Sequence, residues 1–151
     1  MADTVFKGRF EGLEIAFVHA VTTELVNQIV VMHDCDPAAA HLLGRSVTAG
    51  AMAAALLPED QRVNVSWRYP GALKAIVVDA GQDGTVRGMI SPPQLGALAE
   101  DNAALFGDVG ELQVVTTAEG NIINSGTTPV ALHDPVNDFA YHYSISDQIE
   151  T

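Results

Sequence analysis

His33, Asp34, Cys35 and Asp36 put four metal-ligating or reactive side chains side by side. A metal site needs side chains that converge, and consecutive residues of a turn diverge. The stretch reads better as a polar turn between two helices, with Asp36 capping the second. Cys35 as a nucleophile needs a partner that lowers its pKa, and His33 or the next helix N-terminus stands nearest. No local signature of a cysteine enzyme surrounds it. His19 lies in an apolar alternation and is expected as a core histidine satisfied by a neighbour. His133 and His142 fall near the ends of the last predicted helix and are expected at the surface. Asp134 and Asp138 are four apart there, but Asp134 is better used as a cap. Gly81-Gln82-Asp83-Gly84 lacks the glycine spacing and the lysine of a phosphate loop, and it leads into a strand. No acid, base and nucleophile assemble, so binding is favoured over catalysis.

The elements that would position these groups follow from periodicity. Val63, Val65, Trp67 and Tyr69 alternate with polar residues, which gives a strand with one apolar face. Pro70-Gly71 breaks it, and Leu73 to Asp79 forms a second strand. Asp83-Gly84 signals a tight turn into a third, Thr85 to Ile90. Leu13, Ile15, Phe17, His19 and Val21 make an earlier strand, entered through a turn or short strand around Gly8 to Gly12. Thr22 is placed to cap a helix running to about His33. Asp36-Pro37 restarts a helix, a capping acid followed by proline at the first position. It continues to Leu57 in mostly small apolar residues, with His41, Arg45 and Thr48 on one polar face. Gln94 to Phe106 holds a short helix at most. Leu112 to Ala118 and a strand beginning at Ile122-Ile123 flank a turn. Asp134-Pro135 opens a last helix, with Val136, Phe139, Ala140 and Tyr143 on one face. The sum is α+β over residues 1–151 as a single domain, a mainly antiparallel sheet covered on one face by helices.

Composition narrows the function classes. The 151 residues suit one domain. Seven Lys and Arg against 19 Asp and Glu give a net charge of −12, which argues against a nucleic-acid partner. No apolar run approaches the ~18 residues of a membrane span, and the N-terminus lacks a signal peptide's apolar core. A cytoplasmic protein without a membrane partner is expected. Cys35 is the single cysteine, so neither an intrachain disulfide nor a cysteine-based zinc site is available.

Three segments in order carry a family resemblance. The first is the Ala-rich helix with His41-Leu42-Leu43-Gly44 and its Ala-Ala-Ala-Leu-Leu end. The second is Pro70-Gly71-Ala72-Leu73, a strand, then Asp83-Gly84-Thr85-Val86-Arg87-Gly88. The third is the tail from His142 to Thr151. Residues of about 4–151 resemble the N-terminal domain of heat-shock protein 33, a redox-regulated bacterial chaperone. That family shows a Gly-Pro turn, a strand and Gly-x-Val-Arg-Gly at similar spacing. Its helix ends in Tyr-Phe-x-x-Ser-Glu-Gln-x-x-Thr, where this chain has His142-Tyr143 and continues Ser146-Asp147-Gln148-Ile149-Glu150-Thr151. Its Gly-Asp-Gly-Pro turn is Arg68-Tyr69-Pro70-Gly71 here.

The resemblance implies an ATP-independent holdase for unfolded client proteins. In the family, a zinc-bound switch of four cysteines holds the chaperone inactive until oxidation. Cys35 matches none of those cysteines, so no zinc or other cofactor is expected in this chain. The chain is read as cut or naturally shortened before the switch, and its holdase activity as constitutive. Leu105, Phe106 and Val109, in a glycine-rich segment, and Ile145 and Ile149, in the tail, are the candidates for exposed client contacts. The alternative is a structural or dimerisation module, inactive without further segments. In that case the protein forms a homodimer by strand pairing or swapping.

Overall fold

β-branched and aromatic residues at every second position extend the backbone of β3 (Gln61–Arg68), and it becomes the middle of the sheet. The computed structural model describes residues 2–146. Their main sheet has five strands in the order β5–β4–β3–β6–β7, all pairs antiparallel. Val63, Val65 and Trp67 stand opposite Ala80, Val78 and Ile76 of β4 (Ala75–Gly81). On the other side they face Thr116, Val114 and Leu112 of β6 (Gly110–Ala118). These rows of cross-strand neighbours make one continuous apolar face. β5 (Val86–Ser91) and β7 (Asn121–Val130) form the edges. The expected turn at Asp83-Gly84 is present, closed by the Asp83 carboxylate accepting from the Thr85 amide at 3.0 Å.

α2 (Pro37–Ala55) crosses this face, burying Ala39, Leu43, Val47, Ala51 and Ala54. Small side chains let the helix approach the sheet closely, as its sequence indicates. Asp36 starts it: one carboxylate oxygen accepts from the Ala39 amide at 2.9 Å. The other oxygen accepts from the Leu95 and Gly96 amides at 2.7 and 2.8 Å. The Ala39 and Gly96 amides are the main cause that holds this carboxyl below its usual range, despite some burial. One residue therefore ties the helix start to the loop after β5.

α1 (Thr23–Met32) begins differently from its expected cap. The Thr22 hydroxyl pairs with the Thr48 hydroxyl at 2.7 Å. Asp3 takes the helix amides instead, accepting from Glu24 and Leu25 at 3.0 and 2.8 Å. A carboxylate is the stronger acceptor at the positive end of a helix, and β1 delivers one there.

β1 (Thr4–Phe10) and β2 (Ile15–Val21) pair only with each other, as a separate two-stranded sheet. The alternation in β2 therefore has no core to face. His19 is exposed and stacks on Phe6, with ring centroids 4.8 Å apart; it is not a core residue.

α4 (Pro135–Ser146) starts with Asp134 as expected, its carboxylate accepting from Val136 and Asn137. Arg45 pairs with the other oxygen at 2.8 Å. The buried face is rotated from the expected one and includes Asp138 and His142 beside Phe139. His142 is buried, with Nδ1 2.7 Å from the Thr128 hydroxyl. Polar partners on the sheet cause the rotation. The Trp67 indole donates to the Pro135 carbonyl at 2.8 Å, and the Tyr69 hydroxyl donates to Asp138 at 2.7 Å. The second Asp138 oxygen accepts from the Leu132 amide at 3.1 Å.

Burial pushes the Asp138 carboxyl above its ordinary range, against the hydrogen bonds from Tyr69 and Leu132 that favour the anion. Its folded pKa thus exceeds the unfolded value of about 3.9. The fold binds the proton more tightly, so this contribution to stability is present below pH ~4 and is lost as pH rises through the folded pKa. Asp138→Asn cannot titrate. The stability of the native chain minus that of Asp138→Asn, from urea unfolding at pH 4 to 7, should fall as pH rises. Asp138→Ala should cost about 2 kcal/mol at neutral pH, because Tyr69 and Leu132 lose their acceptor.

Candidate functional site

The turn at His33 to Asp36 closes α1 rather than forming a site. Asp34 takes a left-handed φ of 52°. Its amide donates to the Val31 carbonyl at 3.2 Å, and the Cys35 amide donates to the Val30 carbonyl at 3.0 Å. This is the paired hydrogen bonding that commonly ends a helix. Asp36 faces the next helix and the Leu95 loop. Among the described residues, no three His, Cys, Asp or Glu side chains converge as a metal site would require. With one cysteine in the chain, its residues do not fit the four-thiolate zinc site implied by the resemblance. Burial pushes the Cys35 thiol up, and the carboxylates of Asp36 and Asp34 push it further. A nucleophilic cysteine needs the opposite shift.

On the polar face of α2, His41 is exposed, and Arg45 and Thr48 are taken up by internal bonds. Arg45 is held by Asp134, and Thr48 donates to the Gly44 carbonyl at 2.9 Å.

Two of the expected apolar contact residues prove to be core. Leu105 and Phe106 are each 3% exposed. Both end α3 (Asn102–Phe106), a single turn capped by Asp101. The amides of Gly71, Ala72 and Leu73 donate to the carbonyls of Phe106, Ala104 and Leu105 at 3.2, 2.9 and 2.9 Å. That ladder pins α3 against the loop between β3 and β4. A side chain at Gly71 would strike the Leu105 carbonyl, so this glycine serves close packing and not exposure. Phe106 lies edge-on to Tyr69 and stacks on His133, with centroids at 5.0 and 5.5 Å. Val109 is 58% exposed and Ile145 50%. They belong to different parts of the surface, the approach to β6 and the far end of α4. Ile149 lies outside the described residues.

The densest exposed apolar surface is the β1–β2 hairpin, which the reading of single residues missed. Register places Phe6 opposite His19, Gly8 opposite Phe17 and Phe10 opposite Ile15, all on one face. Phe6, Phe10, Ile15 and Phe17 are 53, 54, 50 and 36% exposed. Phe17 packs over Gly8, where a Cβ would come within 2.7 Å of its ring. Phe10 and Phe17 have centroids 5.3 Å apart, and Phe6 and Phe17 6.2 Å. Leu13 is exposed at the tip, between Glu11 and Glu14. The signal was in the sequence: two short alternations of aromatic residues, with no third strand adjacent to bury them.

A helix-covered antiparallel sheet, with an apolar hairpin standing outside its core, defines an α+β domain of a particular class. Within that class, the chain belongs to the Hsp33 protein family, whose model matches residues 3–151. It is 33% identical over 156 residues to the 33 kDa chaperonin of Clostridium botulinum strain Langeland, covering 98% of this chain and 52% of that protein. With the 33 kDa chaperonin of Staphylococcus carnosus it shares 34% identity over 145 residues, covering 93% and 49%. The chain spans about half the length of the curated relatives it matches. The crystal structure of the 33 kDa chaperonin (heat shock protein 33 homolog) from Thermotoga maritima superposes with a TM-score of 0.79 at 23% identity. It covers 95% of this chain and 51% of that one, and it shows the shared fold. These relatives carry the names of chaperonins, not of enzymes. Among the described residues, no helix is long and apolar enough to cross a membrane.

The Cys35 environment makes a direct prediction. Alkylation rate against pH should give a thiol pKa above the free value of about 8.5. Asp34→Asn should bring it down. A value below 8 would restore the case for an activated thiol.

Proposed function

We propose that this chain is a holdase domain: it binds unfolding polypeptides in the cytoplasm without ATP and without chemistry. The observation that carries this reading is the ring-bearing hairpin face, exposed on a molecule whose core is otherwise well made. Among the described residues, no buried side-chain nitrogen or oxygen lacks a hydrogen-bond partner. Apolar surface displayed in this way lowers free energy only when something covers it, by about 25 cal/mol for each Å² removed from water. An unfolding protein offers such surface in extended segments, whereas most folded proteins show it only in small patches. The chaperonin names of the relatives support the same class of partner. Membership in the Hsp33 family implies response to oxidative stress; Cys35, the single cysteine of this chain, cannot by itself form the intrachain disulfides of such a switch.

A structural or dimerising module is the second reading. It is favoured by β7, a ten-residue strand whose outer edge is unpaired among the described residues and beside which Ile122 and Ile123 are exposed.

The two readings separate in one experiment. In molar excess, the chain should suppress light scattering by thermally unfolding citrate synthase, equally with peroxide or a zinc chelator present. Unchanged client scattering overturns the holdase reading. A dimer mass in that same solution, without suppression, supports the module.

A further inference from the structure

We propose that the ring face of the β1–β2 hairpin seats an extended apolar segment of an unfolded polypeptide, about seven residues long. This deepens the holdase reading and rests on it.

The hairpin is held in place while its face stays open. At its base, the Asp3 carboxylate grips the first amides of α1. Along its length, the Lys7 ammonium donates to the Ala55 carbonyl at 3.0 Å, at the end of α2. Lys7 and Arg9 alternate with the aromatic positions, so they lie on the opposite face from Phe6 and Phe10. The rings pack on one another and on His19, not on the core. The exposure therefore belongs to an anchored element and is not the fraying of a loose end.

Area decides which occupant fits. Each strand has seven residues. A two-stranded face of that length measures about 23 Å by 10 Å, or roughly 230 Å² in footprint. A stable interface between folded partners needs about 800 Å² from each. A second copy of this chain docking here alone would fall well short. One extended segment running along the hairpin covers the face and leaves little over.

The backbone adds a second means of capture. β1 and β2 make a two-stranded sheet, so among the described residues neither outer edge has a further strand. A further stretch of the same polypeptide, beyond the seated segment, can add to such an edge through main-chain hydrogen bonds, which are indifferent to sequence, beside the ring face and not over it. That combination selects for apolar, extended chain and little else.

Charge sets a preference among clients. Glu11 and Glu14 flank the exposed tip, and the whole chain carries a net charge of −12. Basic apolar segments should be drawn in and acidic ones disfavoured.

The test uses the full 151-residue chain and reduced, carbamidomethylated lysozyme, a basic chain that cannot refold. Fluorescence anisotropy at about 0.15 M salt, where long-range charge effects are largely screened, reads its binding. Phe10→Ser with Ile15→Ser, which removes one cross-strand pair of exposed residues, should weaken binding by about tenfold or more. Val31→Ser with Met32→Ser, more exposed than the hairpin pair but on α1, should leave it unchanged. Unchanged melting temperatures verify that both variants fold. A Phe10→benzoylphenylalanine variant, which keeps an aromatic ring, should crosslink to the probe on irradiation. The same group at Val31 should not.

Equal binding by native chain and hairpin variant, with no crosslink from position 10, overturns the seat and leaves the holdase reading standing. Failure of the native chain to bind the probe overturns both. A dimer of the native chain that the hairpin substitutions abolish assigns the face to a second copy and overturns the proposal.

Discussion

Trp67, on the central strand, and Tyr69, just past its end, each carry one polar atom into the buried apolar layer. A buried N–H or O–H without a partner costs about 1–3 kcal/mol, so something must bring acceptors to both. The first turn of α4 does so, with the Pro135 carbonyl and the Asp138 carboxylate. Much else follows from that requirement. α4 must turn Asp138 inward, which places His142 one turn further on the same buried side, against Thr128. Tyr69 meets Phe106 of α3 edge to face, and Phe106 in turn stacks on His133. The loop at Gly71 must then run close enough to α3 to exchange three hydrogen bonds with it. The fold is thus organised by a few polar atoms at the heart of an apolar layer. Asp138 pays with an elevated pKa for its place there.

The hairpin obeys a different logic. Two strands alone are marginal in water, and this pair lies on no apolar layer of its own. Asp3 and Lys7 tie it down at helix ends, and Val18 and Ala20 on its other face are half-buried where β2 runs beside α2. Its rings gain contact with one another but remain half in water. A domain designed only for stability would place polar residues on such a face. The division of labour is plain: the five-stranded sheet and its helices store stability, and the hairpin keeps apolar surface available.

The legible part of the fold was its regular part. The alternation of Val63, Val65, Trp67 and Tyr69 gave the central strand, and Asp36-Pro37 gave the start of α2, because each rests on local geometry alone. The errors share a cause: they needed knowledge of which element lies opposite. Phe106 was a candidate for the surface because its segment is rich in glycine, yet glycines at 71 and 107 allow two backbones to meet. His142 was expected outside because it falls near the end of its helix, yet Thr128 on β7 gives it a buried partner. His19 was expected inside because its strand alternates, yet that strand has no core to face. Of the candidate contact residues, Val109 and Ile145 are exposed on different elements, the approach to β6 and the end of α4. The aromatic residues of β1 were readable as types, but their grouping on one face required the register with β2.

Amide hydrogen exchange, compared with and without an unfolded polypeptide in excess, addresses the central claim most directly. The account predicts added protection in residues 4–21, strongest at the outward amides of β1 and β2, with the five-stranded sheet unaltered. Protection confined to β7, or to α1 around Val31 and Met32, would contradict it, as would no change anywhere in the chain.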